Sequence, residues 1–196
     1  MSQLQSRAKP LLRPMIESDP AISMPLDFQK RAEIAFWLVK TAMVWDFVKP
    51  NTAFFNDVER RAAVAHEIPA MLQVWAGRYN GEGLLHQSHN PLQMFSLERA
   101  GATPTMLEGI GFTFTAGHMT LQLCYVRPRA GVLFKGILNN ASPEGRLVQV
   151  WPASGDLIWP PLREIESVDR LQQIAMRFGS FRPGDPRASK PPQSWN

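Results

Sequence analysis

Disulfide chemistry is closed to this chain. It has one cysteine, Cys124, so no internal bridge can form and no cysteine pair exists for a zinc knuckle. That usage is expected of a protein kept in a reducing cytoplasm. Long apolar runs are missing too. The most apolar stretch, residues 34–48, is shorter than the about 20 residues a membrane span needs, and it carries Lys40 and Asp46. The opening MSQLQSRAKPLLRPM has no apolar centre and does not read as a signal peptide. Charge is sparse at 19% of residues, with a formal net charge of +4. The basic residues are scattered, and Arg60-Arg61 is the nearest thing to a run. The concentrated basic stripe of a dedicated DNA binder is therefore absent, although a diffuse excess weakly favours anionic partners.

Low charge here goes with a core, not with disorder. The chain is 44% hydrophobic and holds six Trp and eleven Phe, where a disordered chain would be poor in aromatics and rich in charge. A length of 196 residues suits one domain plus a tail. The expected domain spans 1–179. The basic, proline-rich segment 180–196 is expected to be a disordered tail.

Periodicity then sets the elements. Residues 2–16 read as a helix that Pro10 and Pro14 should break or kink, and 17–25 as a loop. Asp27 is a good N-cap for a helix over 28–48. Its apolar residues nearly encircle it, which marks a buried helix. A second helix is expected over 56–66, capped by Asn56 or Asp57. Residues 71–79 read as a strand, followed by the turn pair Asn80-Gly81. The clearest element is a hairpin turning at Ala116-Gly117. It would set Phe114 opposite Met119, Phe112 opposite Leu121 and Ile110 opposite Leu123, all on one face. Weaker strands are expected at 132–138 and 146–151, with a loop at 139–145 and a last helix over 167–178. Helices over 1–67, a mainly β region over 70–160 and a final helix make an α+β domain: N-terminal helices packed on a small antiparallel sheet, with a C-terminal helix covering it.

Chemistry is harder to place. His86 and His89 form an H-x-x-H in GLLHQSHN, read as a polar loop. They are the only weak metal candidates, and a metal needs three or four ligands. Cys124 lies mid-strand opposite the apolar face, and His118, on the same face, is about 20 Å away along the strand. A structural thiol is expected rather than a nucleophile. No glycine-rich phosphate loop or nucleophile elbow is present, so neither catalytic residues nor a cofactor are assigned. Candidate contacts to nucleic acid or a partner are Arg60, Arg61, Arg78, Arg127, Arg129 and Lys135. Trp37 is a further candidate anchor, with packing under a loop as its plainer role.

One resemblance is present. The segments MSQLQSRAKPLLRPMI and AEIAFWLVKTAMVWDF, then VWAGRYNGEG and GFTFTAGHMTLQLCYV, resemble the region that follows the zinc module in a group of bacterial proteins related to HNH (His-Asn-His) endonucleases. In that group a cysteine-rich module ends in a run like C-x-x-C-N-N-G-W-M-S. The resemblance covers the chain to about residue 178. This chain starts at the Met-Ser where that module would end and lacks its cysteine pairs and catalytic histidine, so nuclease activity transfers to no residue. What the resemblance implies is association with nucleic acid or with a nuclease-containing system. The functional expectation is a cytoplasmic, non-catalytic domain that binds a protein or nucleoprotein, one form being a phage or mobile-element inhibitor of a host defence complex. The alternatives are a direct DNA- or RNA-binding accessory domain, and a small metal- or Cys-dependent enzyme.

Overall fold

The structure, a computed structural model, describes residues 3–17, 22–48, 53–81, 85–96, 105–128 and 145–177. The expected strand at 132–138, nearly all of the 139–145 loop and the tail lie outside the described residues. Within them the fold is α+β, with helices α1 (Gln3–Glu17), α2 (Phe28–Val48), α3 (Asp57–Val64) and α4 (Val168–Met176). A sheet of β2 (Leu72–Arg78), β3 (Leu85–Ser96), β4 (Thr105–Ala116), β5 (Met119–Val126) and β6 (Leu147–Trp151) runs in the order β3-β4-β5-β2-β6, antiparallel throughout. Short strands β1 (Met24–Leu26) and β7 (Leu157–Trp159) pair separately. Neither was legible beforehand.

Pro10 and Pro14 do not break α1. Each removes one intrahelical hydrogen bond, but they lie four residues apart, on the side away from the core. There the freed carbonyls can face water. Ala8, Leu12 and Met15 are buried on the opposite side. The last turn is held by the sheet, since His118 donates its backbone N–H to Ile16 O at 3.1 Å.

α2 starts at Asp27, whose carboxylate accepts from Lys30 N–H at 2.9 Å as an N-cap. Ile34, Ala35, Leu38, Val39 and Ala42 are wholly buried. The helix lies across one face of the sheet. Arg31 near its start reaches β6, and Asp46 near its end reaches β3. The same sheet face is built from Val74, Ala76, Ile110, Phe112, Met119, Leu121 and Leu123.

The hairpin face is as expected, but its register differs by two residues. The loop is Gly117-His118, so Ala116 faces Met119, Phe114 faces Leu121, Phe112 faces Leu123 and Ile110 faces Tyr125. Gly117 has φ +54°, as the first loop residue of a type II′ turn requires. A Cβ there would sit 2.5 Å from Ile16 O, so α1 adds a second reason for glycine.

The segment read as a polar loop, GLLHQSHN, is mostly strand. β3 pairs with β4 along its whole length, Leu85 with Ala116 through Ser96 with Thr105. Its lack of alternation has a cause on the second sheet face. That face carries an apolar half (Trp75, Cys124, Val126, Leu147) packed with Ile165, Leu171 and Ile174. It also carries a buried polar row of Thr113, Thr115, Thr120 and Gln122. On this face β3 sets His86 and Ser88 against Thr115 and Thr113 of the polar row, and only Leu92 joins the apolar half. α4 covers this second face. Gln122 Nε2 donates to Ile174 O at 2.7 Å and Asn90 Nδ2 to Ala175 O at 3.2 Å. Two sheet side chains thus donate to carbonyls of the last helical turn, that of Ile174 also accepting Arg177 N–H at 3.3 Å.

Candidate functional site

The end of α2, the start of α3 and β3 meet at a corner with charge inside and apolar surface outside. Asp46 is fully buried. Its carboxylate accepts from Phe54 N–H at 2.9 Å, from Phe55 N–H at 3.0 Å and from Arg60 Nη2 at 2.8 Å. His89 Nε2 lies 3.5 Å from its other oxygen. α3 can present Arg60 here because Asn56 and Glu59 close a capping box at its start. Arg60 also donates to Phe55 O and Met43 O, and its guanidinium lies 3.7 Å from the Phe47 ring centre. Outside this charged core, Val44, Phe47 and Val48 are 62%, 70% and 62% exposed. They stand at i, i+3 and i+4, so one stripe of the helix turns apolar surface to solvent.

Of the four described cations singled out in the sequence, three are engaged within the protein. Arg60 is paired as described. Arg78 is buried and paired with Glu164. Arg127 bonds Glu59 Oε1 at 3.1 Å, Glu108 Oε2 at 2.7 Å and the Phe54 carbonyl. Tyr125 Oη donates to the same Glu59 oxygen at 2.7 Å. Burial raises the Glu59 pKa, but the hydrogen bonds from Arg127, Asn56 N–H and Tyr125 outweigh it and hold the carboxyl below its usual range. Arg61 is exposed. Arg129 and Lys135 lie outside the described residues. Trp37 is half-buried and packs edge-on against Phe114 of β4, ring centres 5.5 Å apart.

His86 and His89 are three apart on a strand, so their side chains leave opposite faces. His86 pairs across with Thr115 on the polar face, whereas His89 pairs with Phe112 on the α2 side. One ion cannot take both rings from this strand. Among the described residues no group of three His, Cys, Asp or Glu has metal-binding geometry. Burial lowers the His86 pKa, which favours the neutral ring. On the polar face, His86 Nδ1, Ser88 Oγ, Gln73 Oε1 and Gln122 Oε1 are buried without a hydrogen-bond partner. These rows span β3 to β2, so the open polar atoms are spread across the sheet and do not converge on one point.

Cys124 is fully buried, and burial pushes its thiol up to about 12, with Arg177 opposing weakly. A thiol-labelling reagent at pH 8 should therefore leave the native protein untouched and modify Cys124 only on unfolding. Labelling of the native state as fast as of free cysteine would contradict its placement.

Comparison with known protein families, with curated proteins and with solved structures finds no match. The corner at the end of α2 could not have been read from pattern alone. Phe47 and Val48 look like core residues of a helix that is apolar on most sides. The available hint was the lone Asp46 among them.

Proposed function

We propose that this chain is a non-catalytic protein-interaction domain that docks an apolar partner surface on the C-terminal end of α2. One observation carries the reading: Val44, Phe47 and Val48 are all more than 60% exposed on adjacent turns of one helix. A contiguous apolar stripe of this kind beside an arginine has the composition of an interface centre. The ion-paired state of Arg60, Arg78 and Arg127 supports a protein partner over nucleic acid, because phosphate binding would have to break those pairs. Among the described residues no helix is long and apolar enough to cross a membrane, so a membrane span does not account for the stripe.

Titration with labelled duplex DNA, single-stranded DNA and RNA tests this reading. Any binding should be weak and non-saturating at about 50 mM salt, and should disappear by about 200 mM. Saturable binding with a log–log salt slope of several units would overturn the proposal and make nucleic acid the direct partner. Cleavage of those substrates in Mg²⁺, Mn²⁺ or Zn²⁺ that is lost in H86A/H89A would overturn its non-catalytic half.

A further inference from the structure

A second surface feature lies between the start of α1, the first half of α2 and the segment after α3. It is a cavity of about 310 Å³ lined by Arg7, Gln29, Glu33, Phe36, His66 and Ile68 among others. That is the lower end of the size range of small-ligand pockets. Its two charges oppose one another. Arg7 Nη1 lies 3.6 Å from Glu33 Oε1, beyond hydrogen-bonding length, with Arg7 63% exposed and Glu33 14% exposed. Such a pair is weakly held and opens at little cost. Gln29 Nε2 donates to Glu33 Oε1 at 3.2 Å and fixes the carboxylate in place.

His66 is the second observation. It has φ +64° and occupies the position just past the C-cap of α3. His66 N–H bonds Ala63 O at 3.3 Å and Glu67 N–H bonds Ala62 O at 3.0 Å, which is the Schellman closure that glycine usually serves. A side chain at this left-handed position is conformationally costly. Here the chain places an imidazole, stacked on Phe36 at 4.9 Å and lining the cavity. The ring is exposed along the cavity wall, where a ligand can reach it.

We propose that this cavity binds a small zwitterion of the α-amino-acid type with an apolar side chain. Its carboxylate takes Arg7, its ammonium takes Glu33, and its side chain lies against Ile68 and the Phe36–His66 stack. The two opposite charges of such a ligand stand as close together as those of the pair they replace. This site is independent of the surface at the end of α2.

The test is calorimetry on the full chain with L-phenylalanine and L-leucine as probes. N-acetyl-L-phenylalanine and L-phenylalaninamide each keep one charge, as a chain terminus would. The free amino acids should bind, and each half-charged analogue should bind at least about tenfold more weakly. E33Q and H66G should each weaken binding by at least about tenfold while melting stays cooperative. Should H66G fail to fold, E33Q decides alone. No binding at millimolar probe, an analogue that binds as tightly as the free amino acid, or affinity unchanged in E33Q would overturn the proposal.

Discussion

Replacing Asp46 with alanine should cost about 3–5 kcal/mol of stability, the range for removing one member of a buried ion pair. Asp46 is 0% exposed. Its loss removes the charge partner of Arg60, whose side chain is only 16% exposed. It also removes the acceptor for the N–H groups of Phe54 and Phe55, and these fix where the chain enters α3. Asp46→Asn keeps an acceptor oxygen and should cost less. Replacing the pair together, D46L/R60M, should cost less than the sum of the single changes, since neither partner is then left charged and buried. Urea unfolding at neutral pH measures the native chain, D46A, D46N, D46L, R60M and D46L/R60M. A loss below about 1 kcal/mol for D46A would mean the carboxylate reaches water.

Arg31→Met should be nearly as damaging, at about 3 kcal/mol or more. Arg31 is 2% exposed. Its guanidinium donates to four backbone carbonyls of β6 and the loop after it: Val150 at 3.0 Å, Ser154 at 3.2 Å, Gly155 at 2.8 Å and Gln149 at 3.1 Å. Burial alone lowers its pKa, but an arginine so placed stays charged near neutrality. Methionine fills similar space and removes the donor from all four carbonyls, two of them, Val150 and Gln149, within β6. Arg31→Lys should recover less than half of the loss, because a point ammonium cannot match the planar fork. The same unfolding measurement decides. Equal stability of R31M and the native chain would show that water satisfies those carbonyls.

These two residues also mark where sequence reading stops. Periodicity finds α2 because its apolar positions recur, yet it cannot see that Arg31 and Asp46 point inward. The partners of Arg31 lie across the fold, at Val150 and the neighbouring carbonyls, and those of Asp46 lie beyond the helix end, at Phe54, Phe55 and Arg60. The hairpin shows a second limit. Alternation has a period of two, so it assigns Ile110, Phe112 and Leu121 to the core face under either register. Only the turn separates the two registers, and there Gly117 opens the loop where Ala116 had been expected to. β3 was missed because its residues meet a buried polar row on one side and because Pro91 is atypical of strands. In α1 the prolines fall on the outer side, where breaking a helix hydrogen bond matters least. Val44, Phe47 and Val48 read as core material, and among the described residues the packing leaves each of them more than 60% exposed.

The account turns on that surface. The most direct test is affinity capture from cells with the native chain and with V44D/V48D, after nuclease treatment, at about 50 and 200 mM salt. Both substitutions fall on exposed positions, so the variant should melt within a few degrees of the native protein. The account predicts a protein retained by the native chain at both salt concentrations and lost from the variant. Capture that nuclease or the higher salt abolishes, or that V44D/V48D leaves unchanged, would contradict it.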